Sequence, residues 1–118
     1  MSQVEGSKAE CIARDYLLSQ GLQWRASNFR SRVGEIDLIM QDGHEVVFVE
    51  VRARRSATYG GAVESITYAK RQKIIKTAML YLQQYKLYDR YVGRFDVLAL
   101  QGQPPTIHWI KHAFEMDQ

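Results

Sequence analysis

Two carboxylates stand inside runs that are otherwise apolar, and they are the residues of this chain best suited to chemistry. Asp37 lies in Gly34-Glu35-Ile36-Asp37-Leu38-Ile39, and Glu50 lies in Val47-Phe48-Val49-Glu50-Val51-Arg52. Both runs are rich in Ile and Val and read as strands, Gly34 to Gln41 and Glu45 to Arg52. Asp42-Gly43 between them is a hairpin signal. A two-residue turn pairs Gln41 with His44, sets Glu35 opposite Glu50 and leaves Asp37 diagonal to Glu50. A four-residue loop, Asp42 to Glu45, sets Asp37 directly opposite Glu50. Under either register Asp37, Glu50 and Arg52 share one face, and Ile36, Leu38, Met40, Val47, Val49 and Val51 share the other. Facing Cβ atoms in such a pair are about 4.5–5.5 Å apart. Two carboxylates at that distance repel, and burial adds to the cost. A divalent cation such as Mg2+ or Mn2+, which prefers oxygen ligands, relieves both penalties. Pairing with Arg52, Arg54 or Lys70 relieves them equally well, and spacing alone does not choose between the two.

The charge distribution favours a polyanionic partner. Lys and Arg number 16 against 13 Asp and Glu, a net charge of +3 with a pI near 9.1. Ten of those 16 fall in three clusters: Arg25, Arg30 and Arg32; Arg52, Arg54 and Arg55; and Lys70, Arg71, Lys73 and Lys76. Cationic patches around isolated carboxylates attract nucleic acid.

The elements that must position these groups follow from periodicity. Gln3 to Ser19 reads as a helix, with Ala9, Ile12, Ala13, Tyr16 and Leu17 at helical spacing and Gly21 at the stop. Leu22 to Phe29 is a looser strand, and Ala53 to Glu64 a loop. From Thr67 to Tyr85 the period is helical again, with Ile74, Ala78, Tyr81, Leu82 and Tyr85 as the apolar stripe and Lys70, Lys73 and Lys76 among the polar positions. Leu87 to Gly93 reads as a linker. Arg94 to Leu100 and Thr106 to Ile110 are strands separated by Gly102, Pro104 and Pro105. The order α-β-β-β-α-β-β predicts an α/β fold over residues 1–118. In it an antiparallel meander of three strands is joined, through a crossover helix, to a fourth strand parallel to the third, with helices flanking the mixed sheet. A lone cysteine, Cys11, excludes an intrachain disulfide and a cysteine-built zinc site, and packing in the core is its expected role. Apolar stretches such as Val46 to Val49 are far short of a membrane span. No secretory leader follows Met1, so a cytoplasmic location is expected.

Taken together, these residues carry a resemblance. The Asp on one strand and Glu-x-Arg on the next look like the acidic core of the PD-(D/E)xK nucleases. The match is closest to the YraN family of small bacterial proteins, related to Holliday-junction resolvases. It runs through Gly6 and Ala9-Glu10, Asn28 and Arg30, Gly34-Glu35-Ile36-Asp37, Phe48-Val49-Glu50-Val51, Arg54 and Arg55-Ser56, Lys70 and Lys73 with Ala78, and Arg94-Phe95-Asp96-Val97. The resemblance implies a restriction-endonuclease-like sheet and a metal-dependent nuclease of structured or branched DNA. It also implies Asp37 and Glu50 as ligands of Mg2+ or Mn2+, Glu10 as a helix-borne third acid, and Glu35 as an outer carboxylate. Arg52 stands where the superfamily usually has Lys. Arginine stays protonated in proteins, so it cannot serve as a base, although it can hold or neutralise a phosphate. Lys70 or Lys73 from the second helix would then supply the ammonium. Arg30, Arg54, Arg55, Lys70 and Lys73 would grip neighbouring phosphates, and symmetric cleavage of a junction would call for a homodimer. Two other functions fit the same residues: a nucleic-acid-binding module without catalysis, and a protein-interaction adaptor whose acids are structural.

Other polar positions carry less. Gly60-Gly61 lacks phosphate-loop spacing, His108 sits in a strand out of helical register with His112, and His44 belongs to the turn. Asp96 is expected to be a structural acid beside Arg94. The tyrosines at helical spacing are expected in the core, with base stacking as the rival role for Tyr59, Tyr68, Tyr81, Tyr85, Tyr88 and Tyr91.

Overall fold

The computed structural model describes residues 2–54 and 61–115, with side chains from Lys8 onward in the first helix. Its elements are α1 (Ser2–Ser19), β1 (Gln23–Arg30), β2 (Glu35–Asp42), β3 (Glu45–Arg54), α2 (Tyr68–Gln84), β4 (Val92–Gln101) and β5 (Thr106–Phe114). They form one sheet in the order β1-β2-β3-β4-β5, in which only β3 and β4 run parallel. This is the mixed α/β sheet expected from the sequence, with α2 as the crossover.

The two helices cover opposite faces, and β3 shows why. Its central residues alternate between two cores, Val46 and Phe48 packing with Ile74, Ala78 and Tyr81 of α2, and Val47 and Val49 packing with Ala9, Ala13 and Leu17 of α1. A strand buried on both sides needs an unbroken β-branched and aromatic run, and Val46 to Val49 supplies one. Thr67 caps α2, its side chain accepting from the Lys70 N–H at 3.1 Å. A Cβ added at Gly34 would lie 2.9 Å from Thr77 Oγ1 and 3.3 Å from the Lys73 carbonyl. Glycine there lets the β1–β2 turn press onto α2.

The hairpin adopts the second of the two registers. Asp42 pairs with Glu45 and Leu38 with Val49, which carries Asp37 on to Glu50. Gly43, at φ 62°, takes the first central position of the turn, where a positive φ is required.

Several expectations are corrected. Ile36 does not share a face with Leu38, since it packs in the α2 core whereas Leu38 packs in the α1 core. The Cα pairing of β1 with β2 steps from Ser27↔Leu38 to Phe29↔Ile36, across Asn28 and Asp37, and Asn28 has φ 53°. A left-handed residue in a strand breaks the two-residue alternation, so the side chains beyond it change face. Cys11 is exposed, because it lies on the side of α1 away from Ala13 and Leu17. Tyr85 is exposed as well, at the C-cap of α2 where the buried stripe runs out. Tyr81 alone of the α2 tyrosines lies in the core, and Tyr68 and Tyr88 are exposed. β5 runs past Ile110 to Phe114, through a left-handed His112 and a shift in its pairing with β4. Phe114 there stacks on Phe95 at 4.9 Å. β4 likewise begins at Val92, inside the segment read as a linker. Arg55, Tyr59 and Gly60 lie outside the described residues.

Candidate functional site

Asp37 sits where the sheet comes apart. The last close pair of the hairpin is Leu38↔Val49, and one step beyond it Asp37 Oδ2 accepts the Val51 N–H at 2.8 Å. The carboxylate thereby takes up a backbone donor at the point where the strands diverge. Glu50, only 6% exposed, shares a side-chain hydrogen bond with Asp37. Burial is the main cause that pushes the Asp37 carboxyl up to about 8, followed by the Glu50 charge. The Val51 N–H pulls the other way, while the bond to Glu50 and the charge of Glu10 push it further up. The two acids therefore converge, and Glu10 of α1 lies close enough to add its field. Among the described residues, no three His, Cys, Asp or Glu side chains are gathered as ligands of a single ion.

Cations reach the pair from α2 and from β3 itself. Lys70 Nζ is 2.6 Å from Glu50 Oε2, and Arg52 Nη2 is 3.4 Å from the same oxygen. Arg52 Nε is buried without a hydrogen-bond partner among the described residues. Of the two lysines considered for the ammonium, Lys70 is the one brought to the acids. Lys73 is exposed one turn further along, its Cβ against Gly34. Arg30 is exposed and pairs with Glu35 at 3.5 Å, which places Glu35 with Arg30 on the β1–β2 ladder. Arg54 is exposed at the end of β3.

The donor set is of the kind a divalent cation prefers, two carboxylates from neighbouring strands. It consists of oxygen ligands, and the uncompensated part of it is the negative charge of Asp37, which the protein disfavours enough to hold its proton to about pH 8. Glu50 is different, because Lys70 and Arg52 already balance it.

Some cations that look free in the sequence are structural. Arg25, the extra residue of a bulge in β1, donates to Tyr81 Oη at 2.9 Å and Gln41 Oε1 at 2.8 Å and lies over the Tyr81 ring. Arg71 donates to the carbonyls of Ile66 and Val63. Asp96 is the structural acid expected, held by Arg94 through two bonds of 3.0 and 2.9 Å. Spacing does not reveal the left-handed Asn28 or the role of the Val51 N–H, since both depend on backbone geometry.

The sequence profile of the uncharacterised protein family UPF0102 matches residues 9–100. That span holds Glu10, Asp37, Glu50, Arg52 and Lys70. A UPF0102 protein of Legionella pneumophila is 45% identical over 115 residues, covering 98% of each chain. One of Alkalilimnicola ehrlichii is 49% identical over 109 residues, 92% of this chain and 85% of that one. One of Stutzerimonas stutzeri is 46% identical over 116 residues and 97% of each. With a matching profile over most of its length and relatives this similar end to end, the chain belongs to UPF0102, the YraN family.

Proposed function

We propose that this protein is a metal-dependent endonuclease that hydrolyses phosphodiester bonds of nucleic acid, with structured or branched DNA as its substrate and Mg2+ or Mn2+ as its cofactor. The observation that carries the reading is Asp37: a half-buried carboxyl against Glu50, disfavoured as an anion, at the open end of two strands. Asp37 and Glu50, with Glu10 behind them, would hold the ion, whose chemistry is to polarise a phosphoryl oxygen and acidify water.

The chain's own groups do the rest. The Val51 N–H fixes one Asp37 oxygen, and the rest of the carboxyl faces Glu50. Lys70 holds Glu50 in place and presents an ammonium where charge builds up on phosphorus. Arg52 cannot take a proton from water, but its guanidinium can bind a phosphoryl oxygen pair in a fork. α2 begins at this site, and its first turn carries no acid but includes Lys70 and Arg71. The positive end of the helix dipole therefore adds to the cations, an arrangement unfavourable by itself and favourable beside a phosphate. Arg30, Arg54 and Lys73 lie outward of the pair as contacts for flanking phosphates. Two copies of the chain would serve a symmetric cut.

One observation favours a second reading, a nucleic-acid-binding module without catalysis. Lys70 and Arg52 already balance Glu50. Incubating branched, duplex and single-stranded DNA and RNA with Mg2+ or Mn2+ decides the matter. Cleavage by the natural protein and none by Asp37→Asn supports the nuclease. Salt-dependent binding without cleavage under any condition leaves the binding module, and neither binding nor cleavage removes both.

A further inference from the structure

We propose that a cleft on the α1 side of the sheet, at the end of the strand that carries Glu50, is a seat for one unpaired nucleotide of the DNA substrate. The cleft has a volume of about 270 Å³ and lies between α1, the end of β3 and the β4–β5 turn. Its floor is apolar, made by Ala9, Ile12, Ala53 and Leu100, and its rim carries Lys8 and Arg54. Both rim cations are exposed, and no acid is among the described residues that line it. An apolar floor suits the face of a base, and two cations at the mouth suit the phosphates on either side of it. The volume is near the lower end of small-ligand cavities, about 300–1,000 Å³, so it admits a base and not a duplex.

β3 links the cleft to the acids. Ala53 lies three residues beyond Glu50, about 10 Å at ~3.3 Å per strand residue, and by strand alternation on the opposite face. The cleft opens on the α1 side and Lys70 approaches from the α2 side. A strand crossing the rim of the sheet would place a phosphate at Asp37 and Glu50 and a neighbouring base in the cleft. A continuous duplex keeps its bases stacked and cannot fill the cleft, whereas a bulge or branch point offers an unstacked base at little cost. The inference rests on the proposed nuclease reading and names the feature of its substrate.

The test is fluorescence anisotropy in EDTA, where cleavage plays no part. It compares a labelled duplex with the same duplex carrying one unpaired nucleotide. The bulged duplex is expected to bind about tenfold more tightly, the scale of a single base contact. Ala53→Leu, at an exposed position and filling the cleft, is expected to abolish that preference and leave affinity for the continuous duplex unchanged. A 2-aminopurine at the bulge is expected to become shielded from acrylamide on binding to the natural protein, a measurement that needs no variant. Equal affinity for the two duplexes, a preference that survives Ala53→Leu, or an unshielded base would each overturn the cleft assignment. Loss of cleavage in the preceding experiment with the bulge preference intact would remove the nuclease and keep the cleft. Cleavage of both duplexes alike with no preference would do the reverse.

Discussion

This sheet holds one fully buried aspartate and one half-buried one, and treats them in opposite ways. Asp96 is fully buried, yet every oxygen is engaged: Arg94 donates to both, Trp109 Nε1 to Oδ2 at 2.9 Å, and the His112 N–H to Oδ1 at 3.1 Å. Arg94 in turn reaches Asp42 and Glu45 at the hairpin turn. Desolvation of the guanidinium is outweighed by these acids, and its proton is held more firmly than usual. Asp37 has one backbone donor, and the charge that acts on it most strongly is that of an acid, Glu50. A buried charge that is bonded on all sides is architecture, and a half-buried one held beside a like charge is costly by itself.

Three measurements break or sharpen that contrast. The largest effect is expected from Arg94→Met, which strands Asp96 without its counter-ion. Urea denaturation is expected to show a loss of about 3–5 kcal/mol, typical of a buried pair cut in half. A loss under about 1 kcal/mol would mean that the network is not structural. Next comes the pH dependence of Asp37. Its folded carboxyl is pushed from 3.8 to about 8, so the folded protein keeps a proton that the unfolded chain has released. Stability is therefore expected to fall as pH rises from about 4 to 8 and to level off above, by an amount on the order of a few kcal/mol. Asp37→Asn should flatten the curve, and Mn2+ should raise the melting temperature of the natural protein more at pH 8 than at pH 5. Parallel curves for the two proteins would show that the acid is not burdened in this way. The smallest effect concerns Lys70 and Lys73. Replacing both by Ala is expected to lower the salt slope of DNA binding by about one to two units, and an unaltered slope would place the DNA elsewhere.

The difference between the two aspartates also marks what the sequence could disclose. The convergence of Asp37 with Glu50 was legible because hairpin parity fixes which side chains face each other, whichever turn is used. Asp96 was legible because Arg94 stands two residues away on the same face of one strand. Ile36 was not, since its face depends on a left-handed Asn28 in the neighbouring strand, a backbone event that alternation rules do not contain. The choice between Lys70 and Lys73 needed the helix phase relative to the sheet, which the contact of Gly34 with Thr77 sets and no one-dimensional pattern records. Cys11 was misplaced for a related reason: Ala9 and Ala13, two residues to either side, are buried, but its own azimuth on the helix points outward.

The left-handed Asn28 has one more implication. In an ordinary sheet the strands form a wall, and a helix on one side has no access to what a helix on the other side touches. The pleat lapses at the site, where Asn28 stands across from Asp37. Glu10 comes to it from one layer and Lys70 from the other, so the acids answer to both layers at once while the packing behind each stays closed.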